Sequence, residues 1–123
     1  MKYLQYLWGM SETVLQEFQA LMSESSRLVA VQAQIEKDFA LSGFVFSGPL
    51  ISWEALLFEL SAGIATLRNR NAAQWMKIVY RVDLTEKQYR FVKALGGDSD
   101  ENLAKAVVLR EFQKIITRER YSG

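Results

Sequence analysis

Two carboxylates inside an apolar stretch are the first residues in this chain whose type and place could do chemistry. Glu54 and Glu59 stand in SWEALLFELSAGIATLRNR, residues 52–70. A carboxylate held among apolar side chains has a raised pKa and can serve as a general acid or a metal ligand. Five residues apart on a helix, however, they point about 140° apart and address neither one ion nor one substrate bond. Glu54 falls in the first helical turn, where an acid favours the helix dipole. Glu59 lies on the side of Gly63 and Arg70. Buried charges are normally paired, so both acids are expected to meet an arginine or to reach the rim, with Arg68, Arg70 and Arg81 as candidates.

The chain has no His and no Cys. Imidazole and thiol catalysis, disulfides and Cys-based metal sites are therefore excluded. A di-metal carboxylate bundle needs Glu-x-x-His pairs, which cannot be formed here. The sequence holds no nucleotide-binding glycine loop, HExxH, zinc spacing, EF-hand loop or GxSxG. The acidic run Asp98-Ser99-Asp100-Glu101 is too short for a calcium loop and reads as the start of a helix. No catalytic residue, metal ligand or cofactor is assigned, and a non-enzymatic role is expected.

Two further groups of residues could bind rather than react. Trp53, Phe58, Trp75 and Tyr80, with Glu59 and Arg81 as polar anchors, could line a small-ligand pocket of the kind that helical bundles host. Arg110, Lys114 and Arg118 stand at i, i+4 and i+8. Like charges at that spacing cost about 0.2–0.5 kcal/mol per pair. Acids of the first half, an acidic partner or phosphates could offset the cost. The plain reading is a solvated face interleaved with Glu111 and Glu119. Nucleic-acid binding through the basic second half is a third reading, since residues 1–67 carry three Lys/Arg against seven Asp/Glu and residues 68–123 carry twelve against seven. The net charge is only +1, and complementary halves facing each other within the fold account for the asymmetry equally well.

The elements that must position these residues are all helical. Half of the 123 residues are hydrophobic, which is enough for one domain with a true core. Residues 52–69 read as a helix with a bulky face of Trp53, Leu56, Leu57, Leu60, Ile64 and Leu67. Its second face is small: Ala55, Ala62 and Thr66, with Gly63 at the edge. A helix apolar most of the way round is a buried one, so this is the expected central helix of an all-α bundle or array of five or six helices. Ser52 is its expected N-cap. Asn71 with Gln74, Thr85 with Gln88 and Asp98 with Glu101 mark three more helix starts. Residues 43–51, GFVFSGPLI, form a loop that should pin itself to the core through its Phe residues.

Before the loop, Leu7, Val14, Leu21, Leu28 and Ile35 recur every seventh residue. That phase predicts a continuous helix from Ser11 to about Leu41, with Gly43 beyond it; the cluster Ser23-Glu24-Ser25-Ser26 offers a break with Ser26 as a new cap. Residues 1–10 form an aromatic arm or helix start. No window reaches the roughly 18–20 apolar residues of a membrane span, and no signal peptide is evident, so a cytoplasmic protein is expected. The leading expectation is a homodimer, or another protein–protein contact, built on Leu7, Trp8, Val14, Phe18 and Leu21 and on the small face at Ala55, Ala62 and Thr66.

Overall fold

The computed structural model describes Ser23, residues 25–94 and residues 96–122. Among these residues the chain is all-α, with five helices: α1 (Ser25–Asp38), α2 (Trp53–Arg70), α3 (Ala72–Val82), α4 (Glu86–Ala94) and α5 (Ser99–Ser122). No helix among them is long and apolar enough to cross a membrane.

The helix starts follow local chemistry. The Ser52 hydroxyl accepts the Ala55 N–H at 3.1 Å and opens α2. Asn71 Oδ1 accepts the Gln74 N–H at 3.0 Å and opens α3. Thr85 and Gln88 make the full reciprocal box, with bonds of 3.1 and 2.9 Å, ahead of α4. Asp98 Oδ1 takes the N–H groups of Asp100 and Glu101 at the head of α5. Each such cap is worth about 1 kcal/mol. At the end of α3, Asp83 turns into the left-handed region at φ 71°. Its N–H and that of Leu84 return to carbonyls of the last turn.

The continuous helix expected over residues 11–41 is interrupted. Ser23 lies in a turn and α1 begins at Ser25, so the boundary falls in the serine cluster. Serine favours such positions because its hydroxyl competes for nearby backbone groups. After Asp38 the chain tightens into a 3-10 turn at Ala40–Ser42, closed by Gly43 at φ 75°. The aromatic arm, with Leu7, Trp8, Val14, Phe18 and Leu21, lies outside the described residues.

The most deeply buried helix is α5, a correction to the expectation that residues 52–69 form the centre. Leu103, Ala104, Ala106, Val107, Val108, Leu109, Phe112, Ile115 and Ile116 of α5 are all buried, and α1, α2, α3 and α4 each pack against it. Helix α2 buries only Leu56, Leu60, Ile64 and Leu67. The residues of its second face are too small to demand cover, which is why apolarity most of the way round did not enforce burial all round.

The loop between α1 and α2 is held by both. Phe46 is buried, and the Phe44 ring packs on Phe39 and Phe46 at centroid distances of 5.7 and 5.0 Å. Gln32 of α1 donates to the Gly48 carbonyl and accepts from the Leu50 N–H. Phe44 lies directly over Gly63 of α2: a Cβ there would stand 2.4 Å from the ring. Gly63→Ala sets a helix gain of about 1 kcal/mol against an overpacking cost of about 1–3 kcal/mol. We expect net destabilisation in urea unfolding, and a reversal to stabilisation in a Phe44→Ala background. A stabilised Gly63→Ala single variant would contradict this packing.

Candidate functional site

Two places stand out once side chains are in place: a buried charge cluster between α1 and α5, and the outer face of α2.

The cluster is built around Glu111. On α5 the stripe Ala104, Val108, Glu111, Ile115 follows i, i+4, i+7, i+11, and all four residues are buried. Glu111 is fully buried, so its reading as part of a solvated face is corrected. The signal was the stripe itself, in which Glu111 occupies a core position. Facing it from the last residue of α1 is Asp38, also buried. Lys114 Nζ lies 2.8 Å from Asp38 Oδ2 and 2.8 Å from Glu111 Oε1. Its bond to Asp38 is well aligned, and it also donates to the Arg81 carbonyl at 3.4 Å. Its approach to Glu111 is a charge contact without hydrogen-bond geometry, because both Glu111 oxygens lack a donor.

The titration behaviour follows. Burial and the hydrogen bond with Asp38 push the Glu111 carboxyl up to about 8, against the pull of Lys114. Burial works the same way on Asp38, but the hydrogen bonds from Glu111, Lys114 and Gln34 outweigh it and hold its carboxyl below the usual range. Gln34 Nε2 donates to Asp38 at 3.3 Å, and Arg118 donates to Gln34 Oε1 at 2.9 Å.

The basic series on α5 is therefore engaged within the fold. Lys114 serves the carboxyl pair and Arg118 holds Gln34. Arg110 binds the Asp83 carboxylate at 2.7 Å and its carbonyl at 3.2 Å. Arg27 of α1 and Glu119 of α5 add a further cross-helix pair at 2.8 Å. Acids and an amide outside α5 meet these charges, and Arg118 remains exposed to solvent as well.

The outer face of α2 presents the opposite case. Phe58 is 77 % exposed, Ala62 and Thr66 are exposed, and Ala55 is half-buried. Ile51, just before the helix, is 94 % exposed. A groove of about 570 Å³ runs along one side, lined by Leu57, Phe58, Ala62 and Ala65 and edged by Glu54, Asp98 and Glu101. Glu59 reaches the rim, the second of its two expected outcomes, rather than meeting an arginine. Its carboxylate takes the Ser47 N–H at 2.8 Å and the Ser47 hydroxyl at 2.7 Å, and these two bonds, the hydroxyl's first, lower its pKa. Arg68 instead pairs with Asp100 at 2.6 Å.

The six residues proposed for a ligand pocket are scattered. Trp53 packs edge-on against Phe112. Trp75 is buried, lies 6.2 Å from the Phe39 ring, and donates its indole N–H to the Tyr89 hydroxyl at 2.9 Å. Phe58 and Tyr80 point to solvent, Tyr80 at 85 % exposure. Glu59 serves the loop, and Arg81 is exposed. Among the described residues no group of His, Cys, Asp and Glu could hold a metal ion.

No family model matches the chain, and comparison with curated proteins and with solved structures finds no match.

Lys114→Ala leaves two buried carboxyls without their cation. We expect a loss of about 2–4 kcal/mol in chemical unfolding, toward the lower end for breaking a buried pair because Lys114 keeps some solvent contact. Arg90→Ala, which removes the exposed pair with Glu86 on α4, should change stability by under about 1 kcal/mol. Equal effects would contradict the distinction drawn between the two sites.

Proposed function

We propose that this chain works through protein–protein contact, as a homodimer joined across the outer face of α2. The observation that carries the reading is Phe58, a large aromatic 77 % exposed on a helix whose opposite face is already buried. Along the same side run Ala55, Ala62 and Thr66, small enough to let a second helix approach closely. Contiguous apolar surface of this kind marks association sites more often than isolated exposed residues do.

The ends of α2 support self-pairing. Glu54 lies in the first turn, and Arg68 and Arg70 lie in the last. A two-fold axis through the middle of the stripe sets two copies of α2 antiparallel, which brings the acidic end of each toward the basic end of the other. Such an isologous contact uses the same patch twice and closes after two copies. In this arrangement Phe58 is the anchor, and the small residues exclude water around it, as at interface hot spots. A non-enzymatic role and a cytoplasmic setting belong to the same proposal, supported by the lack of His and Cys.

Sedimentation equilibrium and native mass spectrometry test it. The protein is expected at twice its 14.1 kDa chain mass. Ala62→Arg, which puts a bulky charge at the centre of the stripe, should return it to the monomer. Tyr80→Ala removes an equally exposed aromatic from α3 and should leave the mass unchanged. A wild-type monomer at tens of micromolar, or a dimer indifferent to Ala62→Arg, overturns the reading.

A further inference from the structure

We infer that Asp38 and Glu111, two carboxyls with one ammonium between them, form a proton-operated latch that holds the C-terminal end of α1 on α5. The inference is independent of the dimer reading.

The geometry leaves little choice about protons. Both oxygens of Glu111 are buried without a hydrogen-bond partner, and a single ammonium, Lys114 Nζ, stands 2.8 Å from a carboxyl oxygen of Glu111 and 2.8 Å from one of Asp38. Two buried carboxylates that share one cation cannot both ionise cheaply, so one keeps a proton. Lys114 favours charge on Asp38, to which its aligned bond runs. Glu111 is therefore the proton carrier and the donor that joins α5 to α1. Loss of that proton turns the joining bond into a repulsion between two buried charges against a single cation.

The other charged groups around the pair do not take over this role. From α1, Asp38 and the neutral Gln34 face the site. From α3 comes only the Arg81 carbonyl, which accepts from Lys114. On α5 itself, Arg118 is turned to Gln34 and Arg110 to Asp83. Among the described residues no ionisable group of α2 or α4 bears on Glu111.

Stability should then fall as pH rises. The Glu111 carboxyl holds its proton up to about 8 in the folded chain and to about 4.5 when unfolded. The folded state therefore binds the extra proton between those values. The contribution is complete below about 4.5, declines as pH rises, and is fully lost above about 8. Asp38, with its lowered pKa, acts in the opposite sense only in more acidic solution.

The direct test is a carbon-13 NMR titration of the Glu111 side-chain carboxyl in the intact protein, with the backbone amides of residues 34–42 followed in the same samples. The expected midpoint is near 8, with those amides shifting at the same midpoint as the end of α1 loosens. Asp38→Asn removes the like charge and should lower the Glu111 midpoint. In thermal melts, the wild type should lose Tm from about pH 5 to about pH 8 while Glu111→Gln, a permanent neutral donor, stays nearly flat. A Glu111 midpoint near the ordinary 4.5, or amides at the end of α1 that stay still through its titration, overturns the latch. The wild-type titration decides the matter even if a variant fails to fold.

Discussion

A carboxyl group in the middle of the core stripe of α5 is the constraint to which the surrounding charges answer. Moving an ionised carboxylate out of water costs several kcal/mol even after relaxation. An apolar residue at position 111 would have avoided that cost. With Glu111 in place, the fold needs a cation within reach, and Lys114 one helical turn on supplies it. One cation against two buried carboxyls is still one charge short, and a retained proton makes up the difference. Arg118 and Gln34 then fix the orientation of Asp38. The cluster thus ties two helices from opposite ends of the chain at a defined register. Hydrophobic contact between α1 and α5 alone would not specify that register, since Leu28, Val31 and Ile35 can slide along an aliphatic stripe.

The same arrangement meets the uneven charge along the sequence at one point, Lys114 with Asp38, while Arg27 with Glu119 runs in the opposite sense. Three of its cross-helix ties join the acid-rich half to the basic half: Lys114 with Asp38, Arg118 with Gln34, and Glu119 with Arg27. They are unequal in energy. The Arg27–Glu119 pair keeps about half of its glutamate in solvent and belongs with surface bridges worth at most about 1 kcal/mol. Lys114 stands at the buried extreme, where removal of one partner costs more than the pair contributes. Like charges at i, i+4 and i+8 on α5 are tolerated because each has its own acceptor outside α5.

Residue periodicity made the helices and most of their starts legible. Ser52, Asn71, Thr85 and Asp98 cap the helices that their spacing announced, and Leu56, Leu60, Ile64 and Leu67 are buried where the period of 3.6 places them. Residue type alone was a poorer guide to depth. Helix α2 looked central because both its faces are apolar, yet Ala and Thr gain little from burial and impose none. Glu111 looked solvated because it is charged, although its i, i+4, i+7 neighbours are core residues. The contact between Phe44 and Gly63 depends on how a loop folds back over a helix, and no spacing within either segment encodes that. Likewise, Trp53, Trp75, Phe58 and Tyr80 share a residue class but not a direction. Helical phase separates them as soon as each is referred to its own helix.

The two faces of α2 show how composition divides labour on one element. Its inner stripe is bulky and buried, and contributes about 1.5–3 kcal/mol per large side chain. Its outer stripe is built from Ala55, Ala62 and Thr66, whose exposure costs little, so the single chain remains compatible with water. Phe58 breaks that economy. Its exposure forfeits the free energy that burial of a phenyl ring would return. Gly63, one position from the stripe, is already taken by Phe44, which confines close helix approach to the line through Ala55, Ala62 and Thr66. A large anchor beside a narrow, small-residue track is poor design for a solvent face and good design for a helix-on-helix contact. The dimer proposed above would place a partner helix there in place of water.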